Sequence, residues 1–166
     1  MTMQKDKGKA YENKIAAYIH DALYNHVKEY KDLFDSLGNI NLKPRREKSS
    51  GTTKHADNDI DMGLALKFFP FSVECKHNAI VNKITISSIC KNDVSFLYKT
   101  MEQAKRHAES RNLKPIVFFR GNNTCDMIMF DSHDIDSWKA DVPIVYLGSY
   151  IIMSAENFMR EYLNYE

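Results

Sequence analysis

Phe71-Ser72-Val73-Glu74-Cys75-Lys76 is the stretch on which the fold of this 166-residue chain turns. Its apolar residues Phe71, Val73 and Cys75 alternate with Ser72, Glu74 and Lys76, the period of a half-buried β-strand. Side chains two apart on a strand share one face at a spacing of roughly 6.6 Å, so Glu74 and Lys76 set an acid beside a base while Val73 and Cys75 turn to a core. Immediately upstream, Ile60, Met62, Leu64 and Leu66 alternate with Asp61, Gly63 and Ala65, which predicts a second strand that pairs antiparallel with the first after a turn at Pro70. Asp59 and Asp61 share a face on that second strand, and hairpin pairing would carry it beside Glu74. Converging carboxylates of this kind suit Mg²⁺ or Mn²⁺, which keep several waters and accept phosphate oxygens from a substrate. The expected chemistry is phosphodiester hydrolysis, with Lys76 orienting a water or steadying developing negative charge.

Outward from this stretch, apolar residues at Tyr11, Ile15, Tyr18, Ile19, Leu23, Val27, Tyr30 and Phe34 predict one amphipathic helix from Lys9 to about Leu37, with Gly38 as its stop. Residues 39–58 read as a basic Ser/Gly loop, and Arg45, Arg46, Lys48, Ser50 and Lys54 are its candidate DNA contacts. Residues 84–91 carry no clear period. Asp93 can cap a helix running to about Asn112, which brings Gln103 and the basic Lys105, Arg106 and Arg111, with Lys105 and Arg106 as further candidate DNA contacts. Strands are expected at Ile116–Phe119, Met127–Phe130 and Pro143–Leu147, and a last helix from Ser154 to about Leu163. The order predicts an α/β fold, a mixed β-sheet flanked by helices, in one domain spanning 1–166 with no repeat, linker or low-complexity segment.

Hydrophobic residues at 43% and charged residues at 27% are those of an ordinary globular protein. No apolar run nears the roughly 20 residues of a membrane span, and the opening MTMQKDKGKA lacks a secretory apolar stretch, so a cytoplasmic location is expected. Three scattered cysteines, Cys75, Cys90 and Cys125, without a CxxC pair, indicate neither a disulfide framework nor a zinc site. The net charge of +1 hides a division: +4 over residues 1–55, −2 over 56–82, +5 over 83–120 and −6 over 121–166. An acidic cluster between basic segments is what a metal site facing a polyanion needs. His55, His77 and His107 form no spaced ligand set and stay outside the expected site.

The order of features carries a resemblance as well. Gly8-Lys9-Ala10-Tyr11-Glu12, the basic loop at Ser50-Gly51, Asp59-Ile60, Phe71 to Lys76, Gln103-Ala104 and Pro115 to Arg120 together resemble the PD-(D/E)xK nucleases, closest to Holliday junction resolvase-like and phage-type members. The resemblance implies a restriction-endonuclease-like core and Mg²⁺-dependent cleavage of DNA, four-way junctions or branched forms among the substrates. A homodimer would supply paired nicks. It also implies a metal cluster of Asp59 or Asp61 with Glu74 and the helix acid Glu12, with Lys76 catalytic and Gln103 beside them. Asp59-Ile60 fits the family's Asp-apolar pattern and is preferred, although Asp61 has the more usual separation from Glu74. No proline precedes either aspartate. Other roles compatible with the same fold are repair, restriction or phage DNA processing, and nucleic-acid binding without cleavage.

Overall fold

The computed structural model describes residues 2–38, 42–47, 59–78, 81, 94–122, 124–135 and 144–164. Four α-helices are present among them: α1 (Thr2–His26), α2 (Lys28–Leu37), α3 (Ser95–Glu109) and α4 (Ala155–Leu163). The strands are β1 (Arg45–Arg46), β2 (Ile60–Asp61), β3 (Phe71–His77), β4 (Lys114–Arg120), β5 (Met127–Asp131), β6 (Val145–Leu147) and β7 (Tyr150–Ser154). A five-stranded sheet runs β3-β4-β5-β7-β6, with β3 parallel to β4 and the remaining pairs antiparallel. Parallel neighbours need a long crossover, which α3 supplies between β3 and β4. This is the expected mixed α/β architecture, consistent with a restriction-endonuclease-like core.

Strand alternation divides the interior into two layers. Phe71, Val73, Cys75, Ile116, Phe118, Ile128 and Phe130 pack with Ile15 and Ile19 of α1 and Phe158 of α4. Val117, Phe119 and Met129 turn the other way, onto Leu97, Met101 and Ala104 of α3. Glu74 is register partner to Val117, so its side chain belongs to the α3 face. Ser154 opens α4 as the sequence predicts: it is extended (φ −67°, ψ 144°) and its side chain accepts the Asn157 N–H.

Three expectations need correction. The predicted hairpin between residues 60–66 and 71–76 does not form. β2 ends at Asp61 and pairs antiparallel with β1, and Gly63–Lys67 is a 3-10 helix. Gly63 explains the change: its φ is +51°, and a Cβ there would sit 2.5 Å from the Leu42 carbonyl oxygen, so the chain leaves the strand at a point only glycine accommodates. Second, the single helix from Lys9 to Leu37 begins at Thr2 and breaks at Val27, which is extended (φ −117°, ψ 99°). The break folds α2 back so that Tyr30 Oη meets buried His20 Nδ1 at 2.8 Å. Third, β7 was not anticipated, since Tyr150-Ile151-Ile152-Met153 has no alternation to reveal it. Residues 84–91, the proposed cap Asp93, and Pro143 of the expected Pro143–Leu147 strand lie outside the described residues, and Val94 precedes α3 without a side-chain cap. No described helix is long and apolar enough to cross a membrane.

Candidate active site

β3 is an edge strand, so alternate backbone groups along it face away from β4. Asp59 uses them: its N–H donates to the Val73 carbonyl at 3.3 Å, and Asp59 Oδ2 accepts the Cys75 N–H at 2.7 Å. Although the predicted hairpin is absent, the segment before β2 still lies along β3, and Asp59 comes to Glu74 from the strand's open edge.

On the α3 face, Glu74 is 2% exposed. Its Oε1 accepts from Lys76 Nζ and, at 2.8 Å, from Gln103 Nε2. Its Oε2 lies 3.4 Å from His107 Nδ1. Gln103 and His107 are four apart on α3, hence on one helix face above the carboxylate. A buried carboxylate needs such partners, because desolvation without them costs several kcal/mol or more. From α1, Glu12 approaches on the other side and forms an ion pair with Arg46 of β1, Nε to Oε2 2.6 Å. An exposed Glu74–Lys76 surface pair is therefore not what the chain builds.

The electrostatics register three acids drawn together. Burial first, then the Asp59 carboxylate, pushes the Glu74 carboxyl up to about 7, against the opposing pull of Lys76. Burial and then Asp59 also raise Glu12, which Arg46 and Lys76 hold back. Burial pulls the Lys76 ammonium down, but Glu74 and Asp59 outweigh it and leave it above its ordinary value. Cys75 is buried and its thiol is raised well above the usual range, by burial and then by Asp59, which fits a packed thiol rather than a nucleophile.

Asp59, Glu74, Lys76, Gln103 and Glu12 are thus brought together, and Asp61 is not among them. Asp61 pairs with Arg45 (Nη2 to Oδ2 3.0 Å) and accepts the Gly63 N–H at 3.1 Å, which ties down the turn that ends β2. Of the candidate DNA contacts, Arg45 and Arg46 are engaged with these acids. Lys105 lies away from Glu74, with Nζ 3.5 Å from Asp131 and 4.8 Å from the Tyr150 ring centroid. Arg106 is exposed on α3. Lys48, Ser50 and Lys54, along with His55 and Cys90, fall outside the described residues. Sequence reasoning left out His107, whose signal was its place one helical turn after Gln103.

Among the described residues no three His, Cys, Asp or Glu side chains converge tightly enough to enclose a metal ion by themselves. A Mg²⁺-type ion binds through one or two carboxylates and completes its shell with water and phosphate. Asp59, fixed by the Cys75 N–H, and the neighbouring Glu74, raised first by burial and then by the Asp59 carboxylate, are the two carboxylates that fit such an ion.

No curated protein and no solved structure matches the chain. One family model does, across residues 3–164. The match spans nearly the whole length and covers every element that builds the site, so the chain belongs to the family described as "Phage putative PDDEXK endonuclease".

Proposed function

We propose that this chain is a Mg²⁺-dependent DNA endonuclease, with Mn²⁺ as substitute, acting as one nuclease domain through Asp59, Glu74 and Lys76. The single observation that carries the proposal is the placement of Asp59 and Lys76 around a buried Glu74 carboxylate on an open strand edge. Asp59 and Glu74 would hold the ion, which when bound supplies Lewis-acid polarisation of the scissile phosphate and a more acidic water. The Cys75 N–H orients Asp59 and the Gln103 amide orients Glu74, so both carboxylates are held in place for an ion. Lys76, close to Glu74 and kept charged by it, can follow the attacking water or the developing oxyanion. Glu12, restrained by Arg46, would accept a proton or join the ion's outer shell.

The resemblance to resolvase-like members, in which a helix acid such as Glu12 joins the site, is what supports branched-DNA or four-way-junction substrates over plain duplex, with a homodimer cutting paired strands and, for a phage product, the host cytoplasm as its setting. Cleavage of labelled junction, duplex and single-stranded DNA in Mg²⁺ against EDTA tests the enzyme, and the ranking tests the substrate. A chain that binds these DNAs without cutting any of them in either metal is a binding module, and the proposal fails.

A further inference from the structure

α1 presents Glu12 to the candidate active site and, at other positions around the helix, Lys14 and Tyr18 to a separate cleft of about 530 Å³. The opposite walls are Arg120 at the end of β4, the turn Thr124-Cys125-Asp126, and the start of α4 with Glu156. The volume lies within the range of small-ligand pockets, roughly 300–1,000 Å³, and accommodates a nucleotide unit. Lys14 Nζ bonds to Asp126 Oδ2, and Arg120 Nη1 stands 3.7 Å from Asp126 Oδ1. One carboxylate therefore holds two cations from different elements facing one space, while both remain partly exposed, Lys14 at 48% and Arg120 at 33%.

Behind the cleft, the buried Tyr11 hydroxyl and Asp126 Oδ1 lie close to each other. Tyr11 lies within electrostatic reach of both Asp126 and Arg120, and its ring contacts His77 of β3 at 5.6 Å between centroids. His77 is register partner to Arg120, one residue beyond Lys76. Arg120, one wall of the cleft, therefore stands beside the end of β3 that carries Lys76.

We infer that this cleft receives a nucleotide of the substrate strand next to the scissile phosphate. Lys14 and Arg120 would take its phosphodiester, and the carboxylates of Asp126 and Glu156 are acceptors for amino groups of its base. This mixture of donors and acceptors fits a nucleotide better than a simple anion, since the two acids offset the two cations. The inference rests on the endonuclease reading and assigns to it Lys14 and Arg120, the cations that Asp126 holds at the cleft.

The test measures binding of a short labelled duplex in Ca²⁺ across a salt series, for wild type, Lys14→Ala, Arg120→Ala and, as a distant exposed cation, Lys28→Ala. Loss of one phosphate contact lowers the slope of log Kd against log salt by about one and weakens affinity roughly tenfold. That result is expected for Lys14→Ala and Arg120→Ala, and not for Lys28→Ala. A second measurement leaves the charges native: an oligonucleotide with an activated disulfide beside the scissile position should form a mixed disulfide with exposed Cys125, and Cys125→Ser should abolish it. Unchanged slopes and no Cys125 adduct, in a chain that still cuts DNA, overturn the cleft assignment alone. A wild-type chain that neither binds nor cuts DNA removes the endonuclease reading and the cleft with it.

Discussion

The Cys75 N–H donates to Asp59 Oδ2 across 2.7 Å, and this one bond sets the candidate metal ligand against the edge of the strand that carries Glu74 and Lys76. A side chain pinned by the backbone of β3 has little freedom to lose when an ion binds, so the second carboxylate arrives already oriented.

Asp59 and Asp61 should separate cleanly by substitution. Asp59→Asn removes a charge beside Glu74 and is expected to abolish metal-dependent cleavage and to lower the Glu74 carboxyl toward its ordinary value. Asp61→Asn loses a half-exposed pair with Arg45, worth at most about 1 kcal/mol, and should retain most activity. Equal loss in both, measured as kcat/KM with the fold checked by circular dichroism, would contradict the placement.

Lys76→Ala should lower kcat by about two to three orders of magnitude while DNA binding changes little, as expected for a group that acts on developing charge. Single-turnover cleavage against anisotropy binding distinguishes this from loss of DNA affinity.

Glu74 gives a pH signature to the metal-free protein. Its folded carboxyl is raised to about 7 from an ordinary 4.5, so between those values the folded state holds more protons than the unfolded one. Stability from this group is therefore present below about 4.5, is lost as pH rises to about 7, and is level above, a change on the order of 3 kcal/mol at most. Denaturant titrations across this window in EDTA should show the fall, and Glu74→Gln should flatten it.

Gly63→Ala tests the turn that ends β2. The positive φ and the 2.5 Å approach to Leu42 together predict a loss of roughly 1–3 kcal/mol, read as a lower denaturation midpoint with unchanged m-value. An unaffected midpoint would mean that the backbone there relaxes freely.

These residues also show where sequence was sufficient. β3 was legible because Phe71, Val73 and Cys75 alternate with polar partners, and α4 because Ser154 caps a clear apolar period. The grouping of Asp59 with Glu74 was anticipated through a hairpin that does not exist: alternation from Ile60 to Leu66 looked like a strand, and only the conformation of Gly63 ends it. The break at Val27 was hidden because the apolar period runs through it, and packing of Tyr30 on His20, a tertiary contact, decides it. His107 was passed over as a ligand without a set, since its relation to Glu74 depends on a crossover helix whose seating no spacing along the chain reveals.

The most direct test of the central claim is cleavage of a labelled four-way junction by wild type and Lys76→Ala, each in Mg²⁺ and in EDTA. Cutting by wild type in Mg²⁺ alone, lost in EDTA and in the variant, is the predicted result. Cutting that persists in Lys76→Ala or in EDTA would contradict an active site built on Asp59, Glu74 and Lys76.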